Sequence, residues 1–385
     1  MWRPHVDLLD CRYHGLWLHA LLMVALALGA IPLATRKLAP PRVSVVASAG
    51  LVVAAFGMRV SQSVCATRGG TVRLAASNMH AVAGWAATAA VAVVSACASQ
   101  GVGCTAAAAH TRALARRVAH AAFGVEMGLL AWASAIWLVA ACLCLLTGMW
   151  AALDCYSSPK FVGYEIGHLV PASLWMLSAV VSLAHCAGGG PQHLARLQLA
   201  EAKMMLAGGM LFLVEITVAH HGGMLRKGGG THHDQQHQTS GIVWLSCGAL
   251  AYTLHYFKTV TGIHILVSSV GHSLMIMYHA QFSELSALAH QVHGGLLLLA
   301  ALLRLGNRLV EYSLVLALAA LCFIMSSECP VRWAEDVAVN PSAYVLATMA
   351  AGSLLWTWTV RLMWGPAAAA AAVAGDLKAD QHAHV

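Results

Sequence analysis

The residues best able to do chemistry in this chain are its 22 histidines. One set lies in the first half. His19 sits just inside an apolar stretch that carries Met23 and Pro32 and ends at Arg36. His80 opens another in Asn78-Met79-His80-Ala81-Val82-Ala83-Gly84-Trp85, and His120 opens a third, with Gly124 one turn on. Imidazole is a good axial ligand for haem iron, and two histidines on neighbouring helices make a low-spin electron-transfer site. Gly84, one turn after His80, leaves room for a porphyrin edge. The plainer reading is an interfacial histidine or a helix-to-helix hydrogen bond. A second set comprises His168, His220, His221, His237, His279, His290 and His293, with Glu215 and Glu284 close to them in sequence. His290 and His293 share one helix face, as do His272 and His279. Several imidazoles beside carboxylates suit Zn²⁺ or another divalent ion, or a proton relay near neutral pH. The plainer reading here is hydrogen-bonded packing, with His220, His221, His232 and His233 in a solvated loop. A metal hydrolase would need three ligands, an open position and a general base, and spacing fixes no such geometry.

These residues must be positioned by helices in a bilayer. The chain has 385 residues, of which 59% are apolar and only 10% charged, and its mean hydropathy is +0.70. A soluble domain carries about 25% charge. Runs of about 20 apolar residues cross a membrane as helices, and these lack the alternation of strands. The fold expected is all-α, a polytopic helical membrane protein with about eleven spans. They fall near residues 15–35, 43–60, 78–98, 118–148, 165–186, 199–219, 240–257, 261–280, 284–303, 309–326 and 342–364. The turn-rich segment Asp154 to Lys160 divides them into four and seven. A four-helix domain over 1–153 and a seven-helix domain over 161–365 follow, with a disordered tail over 366–385.

Lys and Arg exceed Asp and Glu, 22 against 15, and lie in short loops. That is a topology signal rather than a nucleic-acid patch, so the expected partner is lipid and no nucleic acid. Counting Arg36, Lys37, Arg42, Arg112, Arg116, Arg117, Arg196, Lys258, Arg304, Arg308, Arg361 and Lys378 on the inner side gives twelve against nine on the outer, a small inner excess. It orients the N-terminus outside or lumenal and the C-terminus in the cytosol. The 11 cysteines show no C-x-x-C pair and read as small packing residues rather than disulfides or zinc ligands. Gly208-Gly209 and Gly294-Gly295 read as close helix contacts, and Met204-Met205 as packing. No phosphate loop, dinucleotide fingerprint or nucleophile elbow is present.

His19 with Met23, Pro32 and Arg36, then His80-x-x-x-Gly84 and His120-x-x-x-Gly124, resembles the four-helix core of the cytochrome b-561 type. The resemblance implies that His19 and His80 ligate one b-type haem, and that His120 is a ligand of a second. The span over 43–60 contains no histidine to partner His120, so one haem is supported and a two-haem relay is not. The second half, with Gly167-His168-x-x-Pro171, Gln236-His237-x-Thr239 and paired histidines before a Leu-rich helix, is similar to the seven-span transmembrane protein 45 family. It departs from that family in spacing the pair as His290-x-x-His293, and in Cys322-Phe323-Ile324-Met325-Ser326-Ser327-Glu328. The two halves in this order resemble a fungal family of transmembrane proteins.

The functional expectation is a membrane redox protein holding haem b between His19 and His80, served by a small-molecule or protein electron donor. Any enzymatic activity would then be haem-dependent electron transfer. The alternatives are a carrier of protons or a divalent metal such as zinc, built on His168, His237, His279, His290, His293, Glu215 and Glu284, and a scaffold whose histidines are structural.

Overall fold

The computed structural model describes residues 165, 167–186, 191–221, 232–278, 281–354, 356, 357 and 360, with backbone alone at 191, 215–221 and 232–237. All of these belong to one of the chain's two compact units. The expectations for His19, His80, Gly84, His120 and His279 lie outside the described residues.

Every regular element among the described residues is a helix. They are α1 (Gly167–Cys186), α2 (Pro191–His221), α3 (His232–Tyr256), α4 (Ile263–Met277), α5 (Glu284–Leu305), α6 (Leu309–Met325), α7 (Glu328–Asp336) and α8 (341–354). Each of the last seven apolar runs coincides with a helix. Edges differ: α2 starts earlier than the apolar pattern, and α3 starts at His232, inside the segment expected to be loop. The backbone at His220, His221, His232 and His233 is therefore helical. α1, α5 and most of α2 are long and apolar enough to cross a membrane, and α6 with α7 forms one bent candidate span.

Helices α1 to α6 pack against their neighbours in chain order, and α6 returns to pack on α1, so the six close into a ring. The ring is inverted relative to a soluble bundle. Outward positions hold large apolar side chains, among them Ile242 (57% exposed), Leu274, Leu299 and Leu302. The interior holds Glu201, His264, His272, His293 and Arg304, all nearly or fully buried. Water would drive that arrangement the other way, whereas lipid favours it. The protein is thus compatible with a bilayer by both helix length and the direction its polar side chains face.

Local chemistry explains the ends that matter. Ser283 caps α5 by accepting the Ser286 N–H at 3.1 Å, and Glu284 in the first turn and Arg304 in the last complement the helix dipole. The α2–α3 seam is tight because it is built on glycine: a Cβ on Gly209 would lie 2.7 Å from the Gly241 carbonyl oxygen. Gly294 is similarly closed by Met277. Gly295 has nothing within 4 Å, so the expected contact there is corrected to a surface position.

Between α6 and α7 the chain bends by 70°. Irregular backbone at membrane depth survives only where protein satisfies it. Here the Tyr344 hydroxyl donates to the Met325 carbonyl at 2.8 Å, and the Ser286 hydroxyl to that of Ser326 at 3.2 Å. The Glu165 carboxylate accepts the Ser327 hydroxyl at 2.7 Å and the Cys329 N–H at 2.8 Å.

Candidate functional site

The interior of the ring is polar along its length, in three tiers. At one end Glu201 of α2 faces Arg304 in the last turn of α5. Arg304 Nε donates to Oε1 at 2.7 Å and Nη2 to Oε2 at 3.0 Å, a bidentate ion pair, and His264 Nε2–H donates to Oε2 at 3.0 Å. All three side chains are completely buried. Arg304 is therefore no loop charge, and its place in the inner-side count is corrected. One turn before Glu201, buried Gln198 donates to the Ala251 and Thr259 carbonyls and accepts the Thr261 N–H, pinning the α3–α4 connection beneath the pair.

Next lies a cavity of about 40 Å³ to which all six helices contribute. Trp175 and Ser178 come from α1, Glu201 and Met205 from α2, Trp244 from α3, Ser268 and His272 from α4, Leu297 from α5 and Tyr312 from α6. That volume and lining suit a few bridging waters at roughly 10–15 Å³ each. Met204 and Met205 line it too, as buried packing residues.

The third tier is a cluster of rings. His272 lies 6.0 Å from His293 between centroids, and Trp175 lies against both, at 5.1 and 4.9 Å. Phe323 stacks on His293 and on His168, each at 4.5 Å. His168 Nε2 then meets His290 Nε2 at 3.2 Å. The protons can be placed. His293 Nδ1–H donates to the Ala319 carbonyl and His290 Nδ1–H to that of Ser286, both at 2.8 Å. A carbonyl only accepts, so the Nε2 of each ring carries the lone pair. The Nε2 of His293 has no partner among the described residues, while that of His290 is met by His168 Nε2–H.

Beyond this tier, at the bend between α6 and α7, sits Glu165, buried and held by the Ser327 hydroxyl and the Cys329 N–H.

The structure brings His168, His290 and His293 together. Glu284 does not join them: it is exposed in the first turn of α5. Glu215 lies on the last turns of α2 and His237 on the first turns of α3, as backbone positions. Among the described residues, no group of three or more His, Cys, Asp or Glu side chains assembles as a metal site. Of the described cysteines, Cys247 and Cys322 are buried free thiols, whereas Cys329 is disulfide-bonded, which corrects the expectation of packing thiols at that position.

Sequence reasoning missed the Glu201–Arg304–His264 group, Glu165, Ser326 and Phe323. The first of these had a signal, since ionisable residues inside apolar runs face the interior of a bundle. Comparison with protein-family models, with curated proteins and with solved structures gives no match.

Proposed function

We propose that this chain is an integral membrane protein whose second-half ring relays protons along its buried polar column. One observation carries the reading. Groups able to take or pass a proton recur from Glu165 through the His168–His290 pair, His293 and His272 to the cavity, inside helices that are apolar outside. Along α5 alone, His290 and Arg304 are separated by about 21 Å at 1.5 Å per residue, most of a hydrocarbon core about 30 Å thick. Imidazoles exchange protons near neutral pH, and His293 Nε2 presents its lone pair among other rings. The Arg304–Glu201 ion pair, neutral as a pair, closes the far end of the column.

The test is proton uptake into proteoliposomes under an imposed potential, followed with a trapped pH dye. Wild-type flux well above empty vesicles, reduced at least tenfold by His293→Leu, supports the relay. Flux equal to empty vesicles would sink it.

The b-type haem between His19 and His80 is a separate proposal supported by sequence spacing and resemblance. A reduced-minus-oxidised spectrum of purified protein, lost in His19→Ala and His80→Ala, tests it. The proposed orientation places the N-terminus outside or lumenal and the C-terminus in the cytosol.

A further inference from the structure

We infer that the Arg304 end of the ring binds the headgroup of an anionic phospholipid, held by the Lys258 ammonium beside Tyr256 and Phe257. The inference needs the bilayer but does not depend on proton passage.

Helix α3 ends in a closed, fully bonded turn. The Lys258 N–H donates to the His255 carbonyl and the Thr259 N–H to that of Leu254, each at 2.9 Å. These are the two bonds that end a helix around one left-handed residue. That residue is Lys258, at φ 57°. Glycine takes this conformation without steric cost and is the usual occupant. Asn307 fills the equivalent place after α5, and asparagine tolerates it. A lysine at 258 gives up backbone stability that glycine would keep, and what the position gains is a fixed positive charge.

The turn is held from beneath. Gln198 of α2 donates to the Thr259 carbonyl at 3.0 Å and accepts the Thr261 N–H at 2.9 Å. A Cβ on Gly262 would lie 3.0 Å from the Arg304 carbonyl oxygen and 3.1 Å from the Leu305 Cα, so the α3–α4 connection is seated against the end of α5. At its tip Tyr256 is 76% and Phe257 69% exposed, edge to face at 5.4 Å, with Lys258 exposed beside them. Water disfavours two such rings on a pinned turn, whereas the headgroup layer accepts both rings and the tyrosine hydroxyl.

Charge selects the lipid. No carboxylate pairs with Lys258 among the described residues. Its charged neighbours at this end are Arg196, two residues before Gln198, and the Arg308–Glu311 ion pair, while Glu201 is taken up by Arg304. The described residues exposed at the opposite end carry the reverse sign, with Glu284, Glu335 and Asp336 beside the Arg332–Glu328 pair. An ammonium binds phosphate as a point charge, and the cytosolic leaflet, which the Arg304 end faces in the orientation proposed above, is the one rich in anionic lipid.

The experiment adds dioleoylphosphatidylserine or dioleoylphosphatidylcholine to the purified full chain in neutral detergent. Native mass spectrometry counts the lipids retained, and the melting temperature is the second readout. Wild type is expected to hold phosphatidylserine about fivefold more tightly than phosphatidylcholine, a preference that falls as salt rises. Lys258→Gly should remove most of that preference while raising the melting temperature of the lipid-free protein, because glycine suits the turn. A lysine with no lipid role would move the second quantity alone. Lys258→Arg should keep the preference, and Arg332→Gln, at the opposite end, should leave it unchanged. Equal retention of the two lipids by wild type, or a phosphatidylserine preference intact in Lys258→Gly, overturns the site. So does full displacement of the lipid by soluble glycerophosphoserine at equal concentration, which would assign the site to a free phosphate ester.

Discussion

At the scale of single residues, the ion pair of Glu201 and Arg304 decides most. Removing one partner of a buried pair strands the other charge, at a cost of about 3–5 kcal/mol. Replacing both with apolar groups strands none. Glu201→Leu and Arg304→Met are therefore each expected to destabilise the detergent-solubilised protein by about that amount, and the double variant by less than either. Thermal or denaturant unfolding of the three variants measures this; strictly additive losses would show that the two residues do not act as a pair. The pairing also marks where residue-level reading stopped. Arg304 closes a Leu-rich run, and by position alone it looks like a loop cation. Its partner lies 103 residues earlier in the chain, and no local pattern connects the two. His168, His290 and His293 were legible because a histidine inside an apolar run is expensive wherever it lands. Which nitrogen faces which neighbour was not, since that depends on the Ser286 and Ala319 carbonyls.

At the scale of elements, apolar length and period located the helices, and small residues set how closely they approach. Gly209 and Gly295 make a contrasting pair. A Cβ at Gly209 meets both the Gly241 carbonyl oxygen and Leu245 at 2.7 Å, so Gly209→Ala must push α2 from α3, costing about 1–3 kcal/mol. A Cβ at Gly295 meets nothing, and Gly295→Ala is expected to gain about 0.5–1 kcal/mol from helix propensity alone. Melting temperatures moving in opposite directions would bear this out; two equal losses would count against the α2–α3 seam as drawn. The bend between α6 and α7 escaped the sequence for a different reason. Glu328, Arg332, Glu335 and Asp336 make α7 too polar for an apolar-run criterion, yet its Val331 and Ala334 are fully buried and an Arg332–Glu328 ion pair braces its surface. The satisfaction of its backbone comes from Glu165 and Tyr344, outside the segment itself.

At the scale of the whole molecule, closure of α6 on α1 turns six helices into a ring with an inside, and the inside is where the polar groups collect. The ends of that ring are chemically unlike. One carries the fixed Arg304–Glu201 pair. The other carries Glu165, whose carboxylate accepts the N–H of disulfide-bonded Cys329. Disulfides persist in oxidising compartments and are rare in the cytosol. The Cys329 end is therefore expected to face the exterior or a lumen, so α8, which leaves it, runs toward the cytosol. Lys and Arg in the short loops favour the same orientation through an unrelated cause, the cost of translocating positive charge. An epitope placed after Val385 should then be reached by antibody only after the membrane is permeabilised, while a glycosylation acceptor inserted beside Asn340 should gain a glycan. The opposite result for both would put Cys329 in a reducing compartment, where the disulfide would not persist. The His168–His290 end would then meet cytosolic rather than external protons.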